Sequence, residues 1–375
     1  MNKKISIILA IIVSLFLAIW VWSAMATQSY FILGGSTSVN TFMQAYTKSY
    51  FDNTKKDFIY NSTGSQAGVD GVEKGMYGAG FISKGVSSST LAGDNKFYHV
   101  NEEFNVGEGN NFSNKIDGLI NESANTSKNE TYLAFQFAID AIAIVYKAPS
   151  WVSDETNNKI NFNVDPNNPN GKLLSDVYKG NITWEDLAKQ FGQQDVPDSE
   201  TKISTFTRED GSGTRSAFGD LTGIKKMESA NVVNSNGAMF ENIQKSNNGI
   251  GYLSYAFVKQ VTKESGVRIA GVNKTKLGNP VDLGDDWSYG MKLNNQGLFE
   301  KIENNITNED FIKKGQYAFQ RPFIAIFNLK MNSINLLIDF FKAMIGEEAQ
   351  NPYKEDFDAE GLVPKFELKE VNYDK

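Results

Sequence analysis

The sequence predicts an α/β protein of two domains, and three observations carry that prediction. Short apolar runs rich in β-branched and aromatic residues repeatedly lead into Gly/Ser/Thr turns, and each turn opens a stretch with apolar residues at helical spacing. A nearly continuous apolar run at 137–146 has the character of a strand buried in a sheet. With 375 residues, 41% hydrophobic and 12% aromatic, the chain can bury more core than one domain needs.

The first element is an apolar segment. Lys3 and Lys4 precede residues 5–25, interrupted only by Ser6, Ser14 and Ser23, close to the roughly twenty residues that cross a bilayer. Ala24, Met25 and Ala26 suit a signal-peptidase site, whereas the length of the run and the placing of Trp20 and Trp22 suit an uncleaved anchor. Either way the expectation is export: the rest of the chain stands at the extracytoplasmic face of the membrane, held by the helix or secreted once it is cleaved.

Tyr30, Phe31, Ile32 and Leu33 read as a buried strand, followed by the turn Gly34-Gly35-Ser36-Thr37-Ser38 and then Val39, Phe42, Met43 and Tyr46 on one helical face. Phe58-Ile59-Tyr60 leads into Asn61-Ser62-Thr63-Gly64-Ser65-Gln66-Ala67-Gly68, after which Val69, Val72 and Met76 keep helical spacing. A further strand-like segment ends in Gly80-Phe81-Ile82-Ser83-Lys84. Residues 94–130 read as a polar surface excursion, and 161–170 as a loop. Leu173 to Lys179 reads as a short helix stopped by Gly180, with Thr183 capping the helix that carries Asp186 and Leu187. Residues 249–255 and 317–327 read as strands. The last amphipathic helix carries Ile334, Leu337, Ile338, Phe341 and Ile345 and stops at Gly346; the charged residues beyond it read as solvated surface.

The turn Arg208-Glu209-Asp210-Gly211-Ser212-Gly213-Thr214 sits between the strand-like 203–207 and the helix-compatible 215–221. Free N–H groups at a helix start, small residues, hydroxyl donors and a guanidinium fork all suit an anion. One such turn is most often a helix cap. Several in an α/β chain suggest strand ends converging on one crevice, where open sheets bind ligands.

Composition removes other classes. Zero cysteines exclude disulfides, thiolate metal sites and cysteine nucleophiles, and the single His99, in the polar stretch, weakens a Ser-His-Asp triad or a metal cluster. No metal or cofactor is expected. A net charge of −7 with no basic tract argues against nucleic acid. No P-loop, dinucleotide fingerprint or G-x-S-x-G nucleophile elbow is present.

In order along the chain, Gly35-Ser36-Thr37, Gly64-Ser65-Gln66-Ala67-Gly68, Asp140-Ala141-Ile142-Ala143-Ile144-Val145, Tyr178-Lys179-Gly180-Asn181-Ile182-Thr183-Trp184, the Arg208 turn, Gly249-Ile250-Gly251-Tyr252-Leu253-Ser254-Tyr255 and Arg321-Pro322 resemble the phosphate-binding proteins of ABC-type phosphate uptake systems (PstS-type). The resemblance covers most of 29–350. It implies the two-lobe, type II periplasmic-binding-protein fold, with mixed sheets flanked by helices: 27–137 and 319–375 in one lobe, 138–318 in the other, and 1–26 as the signal or anchor. It also implies a non-enzymatic monomer that encloses inorganic phosphate between its lobes and delivers it to a membrane permease.

By the same resemblance Thr37 offers its hydroxyl, Ser38 its N–H, and Ser65 both. Arg208 reaches the phosphate oxygens, Ser212 donates through its side chain, Gly213 and Thr214 supply donors at the helix start, and Asp210 holds Arg208 by an ion pair. Ser83 stands where many members carry an acidic residue that accepts the proton of hydrogen phosphate. A serine loses the charge repulsion that penalises sulfate, so oxyanion binding is implied more strongly than phosphate selectivity. The rivals are a receptor for sulfate, molybdate or another tetrahedral oxyanion, and a serine hydrolase or phosphatase using Ser65 or Ser212.

Overall fold

One long strand organises the chain in the computed structural model, which describes residues 31–210, 212–284, 288–347 and 352–373 together with Ser14. The expected membrane segment lies outside the described residues apart from Ser14, and so does Gly211 of the central turn. None of the described helices is long and apolar enough to cross a membrane.

In chain order the strands that matter are β1 (Phe31–Gly35), β2 (Phe58–Ser62), β3 (Ala79–Ile82), β4 (Glu102–Phe104), β5 (Tyr132–Lys147), β6 (Ser204–Arg208), β7 (Asn231–Val233), β8 (Gly249–Ser254), β9 (Arg268–Ile269), β10 (Gln320–Asn328) and β11 (Leu362–Leu368). They form one 11-stranded sheet in the order β2-β1-β3-β10-β5-β8-β6-β7, with β9 and β11 also beside β5 and β4 beside β11. The chain parallels expected of strand-turn-helix repeats are present: β1 runs parallel to β2 and β3, and β6 parallel to β7 and β8. A separate sheet of five short strands is drawn from residues 161–162 and 271–301.

Sixteen residues of extended chain span about 50 Å, enough to thread two cores, and β5 does so. Its first part pairs with β10 and β11 and contributes Phe135, Phe137 and Ala138 to a core that includes Phe42, Tyr46, Phe81 and Phe341. From Ile142 onward it pairs with β8 and belongs to a second core that includes Trp184, Phe218 and Tyr252. Every residue from Tyr132 to Tyr146 is buried, as the nearly continuous apolar run at 137–146 predicts for that part of the strand.

Helices cover these strands: α1 (Asn40–Thr54), α2 (Ser65–Glu73), α3 (Gly109–Glu122), α4 (Leu173–Lys179), α5 (Trp184–Gln190), α6 (Gly213–Thr222), α7 (Ile334–Ile345) and α8 (Lys354–Glu360). Locally encoded ends fall where the residues place them. Gly180 closes α4 in the left-handed conformation, and Thr183 with Asp186 forms a reciprocal capping box on α5. Gly346 ends α7.

Two stretches differ from their sequence reading. Residues 94–130 are not a surface excursion, because β4 and α3 within them send Phe104, Phe112, Ile116 and Leu119 into the first core. Nor is the segment after Gly346 mere solvated surface: α8 buries Phe357, and β11 pairs with β5 from Leu362↔Asp140 to Leu368↔Phe135.

Candidate functional site

The two parallel strand groups end in loops that face each other, and backbone contact fixes the first. Gly35 has φ 142°, and a Cβ there would stand 2.2 Å from the Phe81 carbonyl oxygen. A Cβ on Gly68 would lie 2.7 Å from the Gly35 Cα. Only glycine permits β1, α2 and β3 to converge this closely. Their loops consequently share hydroxyls: Ser36 Oγ donates to Ser83 Oγ at 3.0 Å, and the Ser83 N–H meets Ser65 Oγ at 3.4 Å.

Across from them, α6 begins. Ser212 is its N-cap, accepting the Arg215 N–H at 3.4 Å and keeping its own hydroxyl proton to give. The Gly213 and Thr214 amides belong to the first helical turn, which has no intrahelical acceptors for them. The two sides touch: Ser38 Oγ and Ser216 Oγ share a hydrogen bond of 2.7 Å, and a Cβ on Gly213 would be 3.3 Å from the Ser38 carbonyl oxygen. Ser38, Gly213 and Thr214 line a cavity of about 10 Å³ with Asp140 and Glu360. That is room for about one water, so a tetrahedral anion enters only if the two sides part. Thr37, exposed, lies instead in an adjoining open cleft of about 400 Å³ with Asp210, Ser212, Arg215 and Ser216.

Ser65, Ser83 and Arg208 line neither space. Arg208 is buried at the end of β6, and its Nε and Nη2 clasp Glu209 Oε2 and Oε1 at 3.0 and 2.8 Å. The hydrogen bond from Arg208 holds the Glu209 carboxyl below its usual pKa against the opposing effect of burial. Nη1 of Arg208 makes no hydrogen bond among the described residues. The expected Arg208–Asp210 pair is therefore not what forms. Asp210 lies just past the strand in solvent and pairs with Arg215 at 3.1 Å, because Glu209 has the reach to fold back along the guanidinium edge. Arg215 also donates to the Arg208 carbonyl at 2.7 Å, tying the turn together.

A family model described as the PBP superfamily domain matches residues 23–348. The chain belongs to the PBP superfamily. Its two-lobe α/β architecture is that of a periplasmic-binding-protein-like fold. A possible phosphate binding protein from Planctomyces limnophilus superposes with a TM-score of 0.54 at 13% identity, covering 92% of this chain and 94% of that one. An ABC-type phosphate transport receptor from Vibrio cholerae gives 0.48 at 20% identity, covering 89% and 99%. PstS from Borrelia burgdorferi gives 0.48 at 18%, covering 92% and 99%. A search of the curated proteins finds no match.

In this PBP chain three further residues shape the site. Tyr252 stacks on Phe218 with ring centroids 4.2 Å apart, and its hydroxyl also meets the Arg208 N–H at 3.1 Å and Thr207 Oγ1 at 2.8 Å. Arg321 donates from Nε to Asp140 Oδ2 at 3.1 Å and from Nη1 to Asp220 Oδ2 of α6 at 2.7 Å. Burial pushes the Asp140 pKa up, and Arg321 opposes that. The third, Glu360, arrives from the C-terminal helix, and no local motif in the sequence marks it. Among the described residues no group of three or more His, Cys, Asp or Glu side chains could hold a metal ion.

Proposed function

We propose that the chain is the extracytoplasmic binding component of an ABC transporter, a monomer that takes inorganic phosphate between its two lobes without chemistry and hands it to a membrane permease. The observation that carries this reading is the start of α6, where Gly213 and Thr214 line a cavity with Ser38 and the N-cap Ser212 lines a cleft with Thr37. Membership of the PBP superfamily and the likeness in fold to the possible phosphate binding protein from Planctomyces limnophilus support it. Thr37, Ser65 and Ser83 are the donors assigned to the first lobe, and Arg208 is the cation. Parting of the lobes admits the anion, and reclosing brings both sets of donors onto it.

The energetics suffice. Hydrogen bonds to a charged group contribute about 1.5–3 kcal/mol each, and micromolar affinity needs only about −8 kcal/mol. On this reading residues 1–26 hold the chain at the outer face of the membrane or direct its secretion. Calorimetric titration of the full chain in detergent with phosphate tests the assignment. Arg208→Ala is expected to lose most of the affinity, since a buried dianion would be left without its cationic partner. Retention of affinity within about twofold would remove Arg208 from the site.

A further inference from the structure

Two acidic residues, Asp140 and Glu360, line the small cavity at the start of α6, and they are not equivalent. Asp140 is spoken for: Nε and Nη2 of Arg321 both stand 3.1 Å from its Oδ2. Glu360 makes no side-chain hydrogen bond or ion pair among the described residues, although it is half-buried and lines the same space as Ser38, Gly213 and Thr214.

Its placement is built in. Glu360 is the last residue of α8, and its carbonyl accepts the Ser254 hydroxyl at 3.2 Å. Gly361 follows with φ 73°, where a Cβ would collide with Ser254 Oγ at 1.6 Å. One residue further on, Leu362 is in register opposite Asp140 on β5. A glycine-terminated helix and a locked strand register thus bracket Glu360 and fix where its carboxylate can reach.

We propose that Glu360 is a specificity-determining residue of this anion site, accepting the O–H of a protonated tetrahedral oxyanion and turning away fully ionised ones. The inference rests on the reading of the cavity as an anion site. An ionised carboxylate only accepts hydrogen bonds, so a ligand oxygen that carries a proton can face it, whereas a bare anionic oxygen meets like charge in a poorly solvated space. Hydrogen phosphate and hydrogen arsenate qualify; sulfate and molybdate do not. Ser83 cannot make that distinction, because a hydroxyl gives as readily as it accepts. The charged groups near Glu360 are Arg208 and Asp140. Burial raises its pKa, Arg208 works against that and Asp140 adds to it.

The test is calorimetry on the full chain in detergent at about pH 8, where carboxyl groups are normally ionised, with inorganic phosphate and with sulfate. Wild type is expected to prefer phosphate. Glu360→Gln, which can donate, should let sulfate gain about tenfold or more relative to phosphate. Glu360→Asp keeps the charge and should keep sulfate out. A loss of folding alone would lower both affinities together, so a rise in sulfate binding is a readout that a structural role would not produce. An unchanged phosphate-to-sulfate ratio in Glu360→Gln, or an equal fall for both anions, overturns the inference while leaving the phosphate site standing. Absence of phosphate binding by wild type would instead defeat the underlying site and the inference with it.

Discussion

Arg208 presents a buried guanidinium with one edge clasped by Glu209 and Nη1 left over, so the neighbouring acid positions the cation. Exposed Asp210 does not touch that fork. The two acids should therefore behave differently when neutralised. Glu209→Gln is expected to loosen Arg208 and weaken phosphate binding by about tenfold, and Asp210→Asn to change it by less than about threefold, as befits an exposed ion pair. Titration calorimetry on both variants decides it, and a larger effect at Asp210 would return it to the role the sequence suggested. The family resemblance implies that role for Asp210; side-chain reach at the end of β6 gives it to Glu209 in this chain.

Among the elements, α5 shows what local sequence can specify. Thr183, Asp186 and the left-handed Gly180 before them are all short-range signals, and all three do in the structure what their residue types suggest. The same helix carries a less legible feature. Glu185 is buried, which alone would raise its pKa, but donors from Ser199 and Thr201 outweigh burial and bring it down to about 2. A carboxyl depressed on folding adds stability above its unfolded pKa, roughly 4.3 for Glu, and loses it as the pH falls toward the folded value. Glu185→Gln should accordingly be less stable than wild type at neutral pH, with the gap closing between about pH 4 and pH 2; urea unfolding across that range tests it. Helix α3 was missed for a different reason. Phe112, Ile116 and Leu119 do recur at helical spacing, but Asn, Ser and Gly dilute them, and only packing within the first core makes the stretch a helix.

For the molecule as a whole, the crossing point of the two cores is held by Arg321, which joins Asp140 on β5 to Asp220 on α6. Arg321→Ala leaves Asp140 buried and unpaired, at a cost of about 3–5 kcal/mol near neutral pH. With its partner gone, burial raises the Asp140 pKa further. Protonation then relieves the penalty, so the deficit should shrink as pH falls, and Arg321→Ala/Asp140→Asn should recover part of the loss. Denaturation of the single and double variants at neutral and acidic pH checks both expectations; a deficit independent of pH would mean that Asp140 is not the group left stranded.

By itself the sequence determined the strand-turn-helix succession, the buried character of β5 and the ends of α4, α5 and α7, because apolar periodicity and capping act over a few residues. It also marked the hydroxyl- and glycine-rich turns from which the candidate site is drawn. Tertiary structure alone decided that Glu209 rather than Asp210 holds Arg208, that β11 returns beside β5, and that Glu360 comes within reach of the start of α6. Each of these depends on side-chain reach or on pairing between segments more than two hundred residues apart, as with Leu368 and Phe135, and no local preference encodes such a meeting.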